Sequence, residues 1–360
     1  MKARDNGCKV MKPLKNIFDK IITNDNLDLA LKHAKSRKNG KVSIEKKLEI
    51  EATTANWEVC REYIKLILMH NLYNYFPYKF FKRKERGKVR DIAKLPFFPY
   101  RIIDWAIIQV CGDRFEAYII DQSFAAREGK GTHNALKLTK KYIRSSRAHY
   151  CLKIDITKYF EHIIPEKLMQ ILSRLIGDEK VLKILNNILL GYPKSGIPLG
   201  NYISQYFANL YLTPLDHYCK EIMHCHHYIR YMDDIVVFGQ NTSWLRRVLK
   251  KIRVYLEKYG LDVKGNWQIF SAWGRGVDFV GYRTFQSHCL LRTSTKKRLV
   301  HKTRIILKYL KRGNEYTVHQ MGCVESYSGI LMHCNGKHLY TKTITPIRSV
   351  LRYERISSYM

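Results

Sequence analysis

Acidic residues are scarce in this chain: 31 Asp and Glu stand against 64 Lys and Arg, a formal net charge of +33 over 360 residues. Such an imbalance repels itself and costs folding stability. A polyanionic partner offsets it, with nucleic acid the first candidate. Long hydrophobic runs are also missing; none approaches the roughly 18 residues that crossing a bilayer requires, so no membrane partner is expected. The opening residues Met1–Asn6 pass into Lys9, Lys12 and Lys15 without an apolar stretch of signal-peptide length, which predicts a cytoplasmic protein. No C-x-x-C pair occurs among the nine scattered cysteines, which argues against a zinc ribbon or a disulfide framework and for reduced thiols. Neither an internal repeat nor a low-complexity tract is visible. What remains is a chain whose 46% hydrophobic content suffices for one large domain or two to three lobes.

Residues 1–50 read as a basic N-terminal extension with a helical stretch near Leu27–Ala34. From Glu51 to Tyr78 the apolar positions Trp57, Tyr63, Ile64, Ile67 and Leu68 recur at helical spacing. The run Lys82 to Arg90 then places six positive charges around Gly87, a basic hairpin or loop that either contacts nucleic acid or is a solvated face. Cys151 to Asp155 alternates as a half-buried strand does, with Asp155 and Lys153 on the polar side. Pro165 suits the first turn of a helix whose apolar stripe is Leu168, Ile171, Leu172 and Leu175. A second helix is expected over Tyr202–Leu212, and a third over Ser243–Tyr259 with Ser243 as N-cap and Gly260 as the stop. Cys219, His224, Cys225, His226 and His227 form a cluster by composition, though at no standard ligand spacing. It is either a metal site or the basic approach to a strand. Helices mixed with short strands predict an α+β fold.

The chemistry concentrates at Tyr231-Met232-Asp233-Asp234, which sits between the β-prone runs Tyr228–Arg230 and Ile235–Phe238 and so falls in a hairpin turn. Adjacent carboxylates in a tight turn repel unless a cation neutralises at least one, although an ordinary solvated turn would also carry such a pair. Asp155 on a neighbouring strand would complete a hard-oxygen site suited to Mg²⁺. Two such ions, roughly 3.5–4 Å apart, would activate a primer hydroxyl and stabilise departing pyrophosphate in an in-line displacement.

The surrounding motifs resemble the reverse transcriptase family over about residues 50 to 345. Lys88-Val89-Arg90-Asp91-Ile92, with Pro96 and Arg101-Ile102-Ile103 after it, is similar to the first motif, and Ser123 through His133 to the second. Ile154-Asp155 through Phe160 resembles the third, Tyr231–Asp234 the fifth, and Gly276 through Tyr282 the seventh, the primer-gripping turn. The resemblance implies a right-hand polymerase: fingers at 51–145, an antiparallel-sheet palm at 146–285 with a finger insertion, and a short helical thumb at 286–360. It implies an RNA-directed DNA polymerase acting on an RNA template, an RNA–DNA hybrid and dNTPs, with two Mg²⁺ ions for which Mn²⁺ could substitute. Asp155, Asp233 and Asp234 would be the catalytic metal ligands, helped by the Ile156 peptide carbonyl. Lys88, Arg90 and Arg127 would face the triphosphate or template, since guanidinium forks match phosphate oxygens; the alternative is plain surface charge. Phe160 matches the aromatic that packs under the sugar and excludes a 2′-hydroxyl, with simple core burial as the rival. Basic residues from Lys296 to Arg312 and a helix beginning at Ser326–Gly329 resemble the thumb, where they would neutralise hybrid phosphates.

The fourth motif, Gly196 through Gln205, places Leu199 where most retroelement enzymes have Gln, keeps Gly200, and has Gln205 where Pro is usual. This resembles reverse transcriptases of bacterial diversity-generating retroelements, which make errors at template adenines and work with a small basic accessory protein and the element's own RNA. An apolar Leu199 near the nascent pair would remove a polar contact and loosen selection. The sixth motif departs from the family: Trp267 stands at the usual Lys, with Lys264 three residues earlier, so either Lys264 substitutes or no Lys aids pyrophosphate departure. Without Cys-pair endonuclease sequence, a long maturase extension or a retron Val-Thr-Gly, a stand-alone element enzyme is expected. The alternatives are an antiviral-defence reverse transcriptase and, from another class, a non-catalytic RNA-binding protein. Against the latter, three carboxylates would repel the phosphate that a binding module needs.

Overall fold

The computed structural model describes residues 11–36, 43–73, 77–85 and 87–357. The chain opens with four helices, α1 (Phe18–Ile21), α2 (Asn24–Lys35), α3 (Ile44–Ala55) and α4 (Trp57–Met69). The Thr23 hydroxyl caps α2 by accepting from Asn26 N. β1 (Lys79–Glu85) and β2 (Lys88–Lys94) form the basic hairpin, with Arg83 opposite Arg90 and Gly87 in the turn at φ +82°. Like charges facing each other cost energy unless an anion intervenes. The helix α5 (Ile102–Tyr118) is largely buried, and α2 packs along it through Leu27, Ala30 and Leu31. Of the apolar positions expected on α4, Ile64, Ile67 and Leu68 are buried. Tyr63 is exposed, and Trp57, at the helix start, donates its indole N–H to Asp28.

After α6 (Thr132–Ile143) comes β3 (Tyr150–Asp155), one of the two inner strands of a four-stranded antiparallel sheet. Its partners β4 (Tyr228–Tyr231), β5 (Asp234–Gly239) and β6 (Gln268–Ser271) give the order β4-β5-β3-β6. One face carries Leu152, Ile154, Ile235 and Val237 into the large core shared with α7 (Pro165–Leu175), α8 (Glu179–Leu190), α9 (Tyr202–His217) and α10 (Thr242–Glu257). The other carries Cys151, Val236 and Phe238 against α6 and the short α11 (Ala272–Arg275). β3 is therefore buried on both faces for most of its length, where its alternation predicted a polar side. Only Lys153 and Asp155, near its C-terminal end, keep that side partly open.

Pro165 occupies the first turn of α7, and its four-residue apolar stripe is buried, as its spacing predicts. The α10 cap is Asn241 rather than Ser243: its side-chain oxygen accepts from Trp244 N at 2.7 Å, so the helix begins at Thr242. Gly260 follows with φ +68°, the left-handed conformation that stops a helix. A three-stranded antiparallel sheet of β7 (Val277–Phe279), β8 (Tyr282–Thr284) and β9 (Cys289–Leu291) leads into α12 (Thr293–Leu310), α13 (Val318–Met332), α14 (Lys337–Thr343) and α15 (Thr345–Ser357). These share a separate small core around Leu299, Ile306, Val324 and Ile347. Ser326–Gly329 lies inside α13, which starts eight residues earlier because Thr317 and Gln320 form a reciprocal capping box. No described helix is long and apolar enough to cross a membrane.

Candidate active site

β3 ends and β5 begins at the same edge, and their antiparallel register sets Asp155 opposite Asp234. The two-residue turn Met232-Asp233 joins β4 to β5, with Met232 held in the left-handed region at φ +57°. Three carboxylates thus gather at one sheet edge, partly withdrawn from water. Burial, reinforced by the Asp155 charge, pushes Asp233 up to about 6, while Arg90 pulls it down. Burial likewise pushes Asp234 up to about 7, opposed by Lys153 and reinforced by Asp155 and Asp233.

Two lysines supply local positive charge. Lys153 Nζ lies 3.4 Å from Asp234 Oδ2, and Lys264 Nζ lies 3.5 Å from Asp155 Oδ2. Lys264 gets there because residues 262–264 run along the end of β3: Thr157 N donates to Asp262 O, Ile156 bridges Val263, and Lys264 N donates to Asp155 O at 2.8 Å. Of the two readings of the sixth motif, the structure places Lys264 at the triad, whereas Trp267 lies under the Arg253 guanidinium, 5.3 Å away. Among the described residues no three His, Cys, Asp or Glu groups stand as a ready-made metal cage. The donor set nevertheless fits a hard divalent cation. It offers oxygen ligands with surplus negative charge, and Asp234 Oδ1 is buried without a hydrogen-bond partner.

The fourth-motif loop is wedged between β2 and the segment after β3. Gly196 has φ +80°, and a Cβ there would lie 2.1 Å from Phe160 O, the atom that accepts from Ile197 N. At Gly200 (φ +137°) a Cβ would come 2.4 Å from Ala93 O, while Ala93 N donates to Leu199 O. Only glycine permits either approach. Leu199 is half-buried and Gln205 exposed on α9. Phe160 is also half-buried, packed against the core edge and edge-on to Tyr159.

The predicted phosphate-facing cations separate. Arg90 is exposed and within electrostatic reach of Asp233. Arg127 is engaged elsewhere: its side chain is only 4% exposed, Nε donates to Glu116 at 2.6 Å, and Nη1 donates to the carbonyls of Ile120 and Ser123. These bonds make it a brace for the second-motif loop rather than a free phosphate ligand. The Lys88 side chain lies outside the described residues.

A group that motif spacing does not reveal lies beneath the turn. Arg230 is fully buried and binds Asp216 of α9 through Nε and Nη2, the latter at 2.6 Å. Its Nη1 donates to Met232 O at 3.0 Å and to Asn209 Oδ1, and Tyr228 donates to the same Asp216. The strained turn is therefore tied to a buried charge pair. An Arg inside an otherwise apolar strand run was the available signal, but its partner 14 residues away was not.

The sequence matches the reverse transcriptase (RNA-dependent DNA polymerase) family over residues 82–284, more than half of the chain. It belongs to that family. Among curated relatives, nuclear intron maturase 4 of Arabidopsis thaliana mitochondria is 25% identical over 37% of this chain and 18% of its own length. Protein YkfC of Escherichia coli K12 is 24% identical, over 38% of this reverse-transcriptase-family chain and 39% of its own. The group II intron-encoded protein LtrA of Lactococcus lactis is 26% identical, over 39% and 24%. The matches span less than two fifths of the length of these relatives. Among solved structures, telomerase of Candida albicans in complex with a telomeric RNA fragment aligns over 79% of this chain and 56% of its own, at 12% identity and a TM-score of 0.49.

Proposed function

We propose that this reverse-transcriptase-family chain is an RNA-directed DNA polymerase that copies an RNA template into cDNA, of the diversity-generating type. The observation that carries the polymerase reading is the convergence of Asp155, Asp233 and Asp234 on one sheet edge, with Asp233 and Asp234 made weaker acids by burial and by repulsion from the neighbouring carboxylates. Divalent ions, when bound, would supply Lewis acidity toward the primer hydroxyl and the departing pyrophosphate. The chain's own residues do the rest. The three carboxylates hold the ions, and Lys264 sets an ammonium beside Asp155 where pyrophosphate charge develops. Arg90 presents a guanidinium to the triphosphate from the exposed hairpin. Phe160 supports the sugar from the core edge, and the Gly196–Gly200 loop presents Leu199 to the nascent pair. In this reading the fingers are 51–145, the palm 146–285 and the thumb 286–360, after a basic extension at 1–50.

The Leu199–Gln205 pattern favours the error-prone enzyme, whereas the names of the relatives favour an intron-associated one. Primer extension on a defined RNA, with Mg²⁺ and dNTPs, separates the readings when wild type is compared with Asp233→Ala/Asp234→Ala and with Leu199→Gln. Metal-dependent cDNA that the double variant loses supports the polymerase. Errors opposite template adenine that Leu199→Gln reduces support the diversity-generating type, and accurate cDNA points to an intron or antiviral-defence enzyme. No cDNA from wild type, with an accessory protein and cognate RNA supplied, would leave a non-catalytic RNA-binding protein.

A further inference from the structure

The sheet face that carries Asp155 and Asp234 is opposite the one that α9 and α10 cover. On the outer side of that helical layer, α10 and the short helical segment Tyr218–Ile222 enclose a groove of about 350 Å³. Tyr218, Arg247, Lys250, Lys251, Val254 and Lys258 line it, with Tyr255 stacked on Tyr218 at 4.6 Å in its floor. Residues 247, 251, 254 and 258 recur at helical spacing, so they form one stripe along the helix. The buried stripe of α10, Leu245, Val248, Leu249, Ile252 and Leu256, points to the sheet instead. None of the four groove cations takes part in a described ion pair, and all four are exposed.

The positive band continues past the groove. Lys220 and Lys251 both act electrostatically on Cys225, and Lys220 and Arg147 both act on His227. The histidine-rich loop that precedes β4 therefore borders the band, with His224 and His226 exposed. Cys219 and Cys225 are buried beneath it, and no described group of His, Cys, Asp or Glu there is arranged to hold a metal ion. The two elements that line the groove carry two carboxylates, Glu221 and Glu257. Glu221 is bonded to His217 at 2.6 Å, and Glu257 is the only acidic residue of α10.

We infer that this groove and its flanking band dock the phosphate backbone of folded RNA lying outside the catalytic cleft. The inference rests on the RNA-copying reading above, because an RNA template longer than the cleft presents its folded flanks to the rest of the surface at high effective concentration. Helical rise puts Arg247 and Lys251 about 6 Å apart along the axis, and Lys251 and Lys258 about 10 Å apart, a row suited to tracking successive phosphates. Among the lining residues Val254 is the one large exposed apolar side chain, and Ile222 at the far end of the flanking segment is the other exposed one nearby in sequence. A protein partner would need an apolar anchor cluster at its centre, and a lipid surface a broad apolar face; phosphate neutralisation needs neither.

The test uses the full chain and the variant Arg247→Gln/Lys251→Gln/Lys258→Gln, with circular dichroism melts confirming that it folds. Binding of a labelled RNA hairpin of about 20 base pairs is measured across a salt series, and extension is measured on a primer–template too short to leave the cleft. The inference predicts that hairpin affinity at moderate salt falls about tenfold or more and the salt slope drops by about 2 to 3. Short-template extension should stay within about twofold of wild type. Unchanged hairpin affinity and slope would overturn it, as would an equal loss on the short template. Binding of polyglutamate or anionic vesicles that follows the same residues while hairpin binding does not would also overturn it. If wild type extends no primer but hairpin binding still follows the band, the polymerase reading fails and the docking surface stands.

Discussion

Asp234→Asn is expected to make the metal-free protein more stable at neutral pH while sharply lowering the proposed primer extension. Burial pushes the carboxyl from its ordinary 3.8 up to about 7, so an unscreened conversion would reach about 4 kcal/mol. The side chain keeps 29% of its exposure, and Lys153 stands 3.4 Å away, so solvent screening reduces the figure to about 1–2 kcal/mol. Because the folded value is raised, the native state keeps a proton that the unfolded chain has released. The group's contribution is fully present below about pH 4, declines as pH rises toward 7, and is lost above that. The asparagine variant should therefore melt with wild type near pH 4 and about 1–3 °C above it at pH 8. Scanning calorimetry or circular dichroism, from pH 4 to 8 in EDTA, measures the difference. Added Mg²⁺ should raise the wild-type midpoint at pH 8 and leave the variant nearly unmoved. Primer extension by the variant should fall by more than about 100-fold, the upper end for residues that merely support a metal ligand. A variant that melts below wild type at pH 8, or by a margin independent of pH, would refute the account of Asp234 as an acid held at a cost.

Arg230→Met should cost about 3–5 kcal/mol in urea denaturation because it strands Asp216 in the core, and Arg230→Met/Asp216→Leu should recover part of that loss. Even in the repacked double variant, extension should stay depressed, since the Met232 carbonyl has lost its donor. Gly196→Ala should lower the melting midpoint and the extension rate together, because the added Cβ meets Phe160 O in a backbone conformation that alanine resists. Arg127→Gln should reduce stability by more than about 1 kcal/mol and leave the dNTP KM within about twofold; a selective rise in KM would instead return Arg127 to the triphosphate.

Local features were legible wherever neighbouring residues set them. The hairpin around Gly87, the Pro165 helix and the presence of a hairpin turn between Tyr231 and Ile235 follow from alternation, helical spacing and turn chemistry, none of which needs a distant partner. The acidic pair was expected to share that turn, but Asp234 is already paired with Tyr231 as the first residue of β5, so only Asp233 lies in it. The Ser243 cap failed on local grounds too, for Asn241 offered a competing side-chain oxygen two residues earlier. The start of α13 was misplaced because the Thr317–Gln320 box lies upstream of the Ser and Gly residues that marked a beginning.

The sequence by itself determined the family, through the order of its motifs, and the carboxylates that define the candidate site. It also determined the positive charge that calls for nucleic acid. Tertiary structure decided which charges remain available. In the sequence Arg127 stood among the cations expected to face phosphate, and Arg230 stood in an apolar strand run with no partner in view. Burial turned both inward, one onto Glu116 and one onto Asp216, because a guanidinium removed from water must find a carboxylate or carbonyl partner. Lys264 came to Asp155 by the bridging of 262–264 along β3, and the cations of α10 were gathered on the far side of the sheet. Sequence fixes where a charge sits along the chain; only packing sets its distance to other charges and its access to water, and those two quantities set its energy.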